Sequence, residues 1–227
     1  LLLLALLLPF GAAAQDDFTS SFRLQDCRFL ARGSNPHFIL QPERQLVYAG
    51  GDTELFITVL EKTRQIRLPI AGRLRTVTTA VVEEREFEDG DIVEVSRNFL
   101  AICEKTGDVF YFGEQVDIYE DGVIVGHEGQ WLAGRAGARP GILMPGTFLL
   151  GSRYFQEVAP GVALDRAEHT AEGLEVETGA GDFRGCVEVT ETTPLDPGAE
   201  STKVYCPGVG LAVDGDLVLD EISEDDD

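Results

Sequence analysis

Two Asp-Gly pairs, Asp89-Gly90 and Asp121-Gly122, each stand between segments of alternating apolar and polar residues. Asp-Gly favours the positive backbone angles of a two-residue hairpin turn, so each pair predicts two antiparallel strands held in fixed register. The first turn joins TVTTAVVEEREFE to DIVEVSRNFLAIC. The second joins VFYFGEQVDIYE to VIVG. Two such hairpins in succession read as an antiparallel meander, and long helical periodicity is absent. Only Asp165 to Glu172 (DRAEHTAE) is expected to form a helical turn or two.

Further strands are expected at LFITVL from Leu55, at VEVET, at CVEVTE and at STKVYC, with PLDPG (Pro194 to Gly198) turning between the last two. Asp214 and Gly215 predict one more turn. Gly208 and Gly210 read as a bulge or kink in a late strand. Residues 134–153, rich in Gly and Pro, are expected to be a long connection covering an opening of the sheet. The fold class is therefore all-β: one domain built on a strongly curved antiparallel sheet or half-closed barrel, with a two-sheet sandwich as the alternative. The domain is expected over residues 36–222, after an irregular segment at 15–35 and before an acidic, disordered tail at 223–227.

Residues 1–14 (LLLLALLLPFGAAA) match the apolar stretch and small-residue cleavage site of a secretory signal peptide, with its basic start missing. The apolar run is shorter than the roughly 20 residues a membrane-spanning helix needs. No Cys stands at the cleavage point, which disfavours a lipid anchor. The expected setting is secreted or periplasmic. Cys27, Cys103, Cys186 and Cys206 then read as two disulfides, none being in a CxxC pair. If Val187 and Val189 shared a buried face with Val204 and Cys206, Cys186 would point to the opposite face. That reasoning favours pairing Cys103 with Cys206 and Cys27 with Cys186.

The formal charge of −22 opposes nucleic-acid binding through phosphate neutralisation. It is unevenly spread, since residues 1–75 hold nine Lys and Arg against seven Asp and Glu, and the remainder nine against thirty-three. Lys62, Arg64, Arg67, Arg73 and Arg75 are expected to pair with the acidic strands that follow, the alternative being that they face an acidic partner.

The phrases VSRNF, DVFYFGE, VDIYEDG, GHEGQWLAG, GILMPG, LGSRYFQEVAPGVALDRAEH and ETTPLDPG followed by VYCPGVGL resemble an uncharacterised family of exported bacterial proteins. The likeness runs from Asn35 to Ile222. It implies an envelope or extracellular β-domain, with no established activity, cofactor or catalytic residues. Cys206 stands where that family more often has Ala, which fits an additional disulfide.

Chemistry is sparse. The three histidines are His37, His127 and His169. A helical turn would bring Asp165 beside His169 as a base with its orienting carboxylate or as part of a metal site. His127 beside a carboxylate is the other candidate base for a hydrolase. No Ser stands in a GxSxG elbow. Asp117, Glu120 and Asp121 offer oxygens to calcium, but the twelve-residue calcium loop is missing, so no cofactor is expected beyond that option. Among the aromatics, Tyr111, Trp131 and Tyr154, with Phe112 and Tyr119, are candidates to line a ligand pocket. The leading expectation is a non-enzymatic binding domain for a small molecule or envelope component. A hydrolase and an acidic protein-interaction scaffold are the alternatives.

Overall fold

The computed structural model describes residues 18–224, and in it both Asp-Gly pairs form the turns their composition requires. Asp89 and Gly90 have φ of 51° and 84°, and Asp121 and Gly122 have 50° and 73°. Ala71 and Gly72, at 49° and 75°, make a third turn of the same kind that no Asp-Gly pair announces.

The strands are, in chain order, β1 (Phe29–Leu30), β2 (Gly33–Asn35), β3 (Phe38–Leu40), β4 (Gln45–Gly50), β5 (Thr53–Ile70), β6 (Arg73–Glu88), β7 (Asp91–Cys103), β8 (Val109–Glu120) and β9 (Val123–Gly126). There follow β10 (Trp131–Leu132), β11 (Arg139–Met144), β12 (Arg153–Phe155), β13 (Glu157–Val158), β14 (Arg166–Thr178), β15 (Gly181–Thr193), β16 (Asp196–Cys206), β17 (Gly210–Asp214) and β18 (Leu217–Ser223). One antiparallel sheet runs in the order β12-β14-β15-β16-β17-β18-β4-β5-β6-β7-β8-β11-β13, and β2 and β3 form a small second sheet. The expected all-β fold with a strongly curved sheet is what forms. It is not closed into a barrel. Its two terminal strands, β12 and β13, are consecutive pieces of one stretch in which Gln156 separates a half that pairs with β14 from a half that pairs with β11.

The sheet is buried on both faces where β6, β7 and β8 run together. Val82, Leu100, Ile102 and Val109 join a cluster on the inner face with Leu46, Tyr48, Tyr205 and Leu211. Val81, Phe99, Ala101, Phe110 and Phe112 join a second cluster on the other face. That second face is covered by the far arm of the β5–β6 hairpin, through Ile66, Leu68, Ile70 and Val77, and by the N-terminal segment through Phe22 and Phe29. Near-continuous apolar runs such as NFLAIC therefore appear in the sequence, as strands buried on both sides require.

The disulfides are Cys27–Cys103 and Cys186–Cys206, which corrects the expected pairing of Cys103 with Cys206 and Cys27 with Cys186. The error lay in the register. Val187 stands opposite Tyr205 and Glu188 opposite Val204, so Cys186 falls directly opposite Cys206 with their Cα atoms 4.2 Å apart. Among the described residues no helix is long and apolar enough to cross a membrane.

Four local expectations also change. Residues 166–172 belong to β14, where Ala167 and His169 are buried in alternation, a period-two pattern incompatible with a helical turn. The Gly- and Pro-rich stretch contributes β11 to the sheet. There, a Cβ on Gly141 would stand 2.2 Å from the Phe155 carbonyl oxygen, so glycine permits the approach of the neighbouring strand. Between residues 18 and 35, β1 pairs with β7, β2 with β3, and Cys27 is bonded to Cys103. Gly208 lies in the turn between β16 and β17 rather than in a strand, and its N–H donates to the Pro36 carbonyl. At the ends, residues 1–17 and 225–227 lie outside the described residues, and Glu224 of the acidic tail is paired with Arg44.

Candidate functional site

The concave side of the sheet encloses a cavity of about 240 Å³. An engineered apolar cavity of roughly 150 Å³ holds benzene, so this one has room for a ring or short chain with a polar head. Strand alternation supplies much of the lining, with Val82 and Glu84 from β6, Asn98 and Leu100 from β7, and Lys203 and Tyr205 from β16.

Two irregularities supply the rest. Between β7 and β8, Asn98 pairs with Glu114 and Leu100 with Tyr111, so Phe112 and Gly113 together oppose Phe99. This bulge shifts the alternation by one and turns both Tyr111 and Glu114 toward the cavity. A similar step between β16 and β17, where Val204 pairs with Val213 and Tyr205 with Leu211, brings both Leu211 and Asp214 to the lining. Gly113, at φ 148°, lies so close to β10 that a Cβ would be 2.8 Å from the Trp131 carbonyl oxygen. That approach sets Trp131 edge-on to Tyr111, with ring centroids 5.1 Å apart.

The lining is part apolar, through Leu46, Val59, Val82, Leu100, Val209 and Leu211, and part acidic. Six carboxylates face it, from Glu84, Glu114, Glu157, Asp165, Glu191 and Asp214, against the two cations Arg44 and Lys203. Both cations are engaged. Lys203 lies 3.3 Å from both Glu191 and Asp214. Arg44 pairs with Glu224 and donates to the Val209 carbonyl. Glu84, Glu114, Glu157 and Asp165 have no cation within ion-pair distance among the described residues. Tyr111 donates to Asn98 at 2.5 Å, and Asn98 donates to Glu84 at 3.0 Å. The Asp165 N–H donates to Glu157 Oε1. In the cavity lining two buried polar atoms have no partner among the described residues, Glu157 Oε2 and the Trp131 indole Nε1.

The electrostatics follow from this imbalance. Burial, with Asp214, Glu94 and Glu191 against the opposing pull of Lys203, raises Glu84 to about 7. Burial, with Glu84, Glu94 and Asp165 against a hydrogen bond from Tyr111, raises Glu114 to about 7. Glu157 is pushed well above the carboxylate range by burial and by Asp165, Glu191 and Glu114. Lys203 is held charged by Glu191, Asp214 and Glu84, which outweigh its burial.

Of the sequence candidates, Tyr111 and Trp131 line this cavity together. Tyr154 does not; its hydroxyl lies 2.9 Å from His169 Nε2. His169 is buried, stacked on Phe148 at 3.9 Å, with Nδ1 3.1 Å from the Leu149 carbonyl oxygen. Burial lowers its pKa to about 4, so the ring is a neutral packing and hydrogen-bonding element. Asp165 and His169 are not brought together by a helical turn, because four residues of extended chain span about 13 Å. His127 is half-exposed, with Nδ1 2.7 Å from the Val116 carbonyl oxygen and 3.1 Å from Asp117, which Arg97 already holds at 2.9 Å. Asp121 occupies its turn. Among the described residues no three of His, Cys, Asp and Glu converge as metal ligands. Lys62, Arg67, Arg73 and Arg75 are exposed and form no ion pair among the described residues, and Arg64 instead donates to Gln115 and lies over the Phe99 ring.

Of the cavity's acidic residues the sequence reading singled out Asp165 alone, and as a partner of His169 rather than as part of this lining. Glu84 had a usable signal, since it lies two residues from Val82 on one face of β6. Glu114 had none, because a bulge is not written in the alternation.

In comparisons with known proteins, no family model matches the chain, and no curated protein or solved structure does either.

Proposed function

We propose that this protein is a non-enzymatic binding domain that receives one small, partly apolar molecule in the hollow of its curved sheet. The cavity of about 240 Å³ carries the reading, with apolar and polar side chains together in its lining. Convergent polar groups in an apolar hollow are the usual make-up of a ligand site. One further fact supports it: the polar atoms without partners among the described residues on Glu157 and Trp131 belong to residues of this lining.

We further propose an exported, secreted or periplasmic setting. Two disulfides fit an oxidising compartment, and residues 1–14 read as a leader. Expression of the chain behind a complete leader in a bacterial host is expected to deliver oxidised protein to the periplasmic fraction. Retention in the cytoplasm would count against export.

The binding test uses Trp131, the one tryptophan of the chain, which lines the cavity. Titration with octan-1-ol, octylamine and octanoate is expected to shift its emission and raise the melting temperature for at least one probe. Emission and melting temperature unmoved by all three at millimolar concentration would overturn the reading.

A further inference from the structure

We infer that the ligand of the cavity is an organic amine: an ammonium head held among Glu84, Glu114 and Glu157 beside the Tyr111–Trp131 pair, with an apolar body against Leu46, Val82 and Leu100. The inference rests on the binding function proposed above and specifies its ligand.

Four observations carry it. The first is the charge balance of the wall. Both cations of the lining are already paired, Lys203 with Glu191 and Asp214 and Arg44 with Glu224, so an incoming anion finds no free positive group. An incoming cation finds Glu114 and Glu157 in the lining, neither with a cation at ion-pair distance among the described residues. Buried carboxylates without a countercharge are costly, and a bound ammonium relieves that cost.

The second is convergence. Glu84, Glu114 and Glu157 line the same cavity as Tyr111, and Asn98 links Glu84 to the Tyr111 hydroxyl. The third is an unmet polar atom at that place: Glu157 is 1% exposed and its Oε2 has no partner among the described residues. On giving up its proton Glu157 becomes an acceptor-only group, which an ammonium with three donors matches. The fourth is the aromatic pair, Trp131 edge-on to Tyr111 at 5.1 Å. Aromatic faces attract cations, most strongly when both are out of water.

A bare metal ion fits less well, because no three carboxylates or imidazoles form a cage among the described residues. The apolar wall would be left wet by such an ion, whereas a short alkyl or aryl chain would cover it.

The test compares octylamine, octan-1-ol and octanoate, which share one body and differ in head charge, by Trp131 emission at pH 7.5. Octylamine is expected to bind at least tenfold more tightly than either of the others. Glu157→Gln, and separately the double variant Glu84→Gln with Glu114→Gln, are expected to remove most of that preference, with a cooperative urea transition showing that each variant is folded. Amine binding should release protons, measured as a dependence of the calorimetric heat on the ionisation enthalpy of the buffer. Equal or tighter binding of the alcohol or of octanoate would overturn the amine assignment and leave the cavity's binding role standing. So would an amine preference unchanged in both variants. Failure of all three probes would remove the binding role itself.

Discussion

His169 shows how little a residue's type says without its surroundings. An imidazole four residues from an aspartate invites a catalytic reading, yet in β14 it is a stacked, neutral ring bonded to Tyr154 and the Leu149 backbone. Replacing it with alanine opens a void and strands the buried Tyr154 hydroxyl, so His169→Ala is expected to cost about 2–4 kcal/mol in urea unfolding. His127→Ala, at a half-exposed position, should cost under about 1 kcal/mol. Glu84 and Glu114 act in the opposite sense on pH. Both bind their protons more tightly in the folded chain, with pKa raised to about 7 from 4.5. Their contribution to stability is present in full below the unfolded value and is lost as pH rises through 7. The melting temperature of the wild type should therefore fall, relative to the Glu84→Gln, Glu114→Gln double variant, between pH 5 and pH 8. Parallel pH profiles for the two proteins would contradict this.

At the scale of elements, hairpins with Asp-Gly turns and clean alternation were legible because local chemistry dictates them. What stayed hidden was set by neighbours distant in the chain. The Gly- and Pro-rich stretch becomes β11 only because β8 and the Arg153–Val158 segment lie on either side of it. The Cys186–Cys206 link depended on a register that a single residue's slip would reverse. The bulge at Phe112 and Gly113 is the most consequential case, since it turns Glu114 inward beside Tyr111. Of the candidate site, the aromatic half could be read from residue type, and the acidic half could not. Gly113→Ala forces a Cβ against the Trp131 carbonyl and is expected to destabilise the fold by about 1–3 kcal/mol while shifting Trp131 emission. An unchanged emission spectrum would show that this approach does not position the ring.

For the whole molecule, the two disulfides constrain different spans. Cys27–Cys103 closes a separation of 76 residues and Cys186–Cys206 one of 20. Loop-closure entropy makes the first worth about 4 kcal/mol and the second about 3 kcal/mol. Double Cys→Ser replacement of each pair, followed by urea unfolding, should reproduce that order; the reverse order would point to residual structure in the unfolded chain.

The segment from Arg153 to Val158 serves as a clasp. Because its first half fastens to one end of the sheet and its second half to the other, it links the two ends of the ribbon, and it does so through short ladders. Unfastening it costs far less than parting the long β5–β6 arms, so the amides of this clasp should exchange with deuterium well before those of β5 and β6.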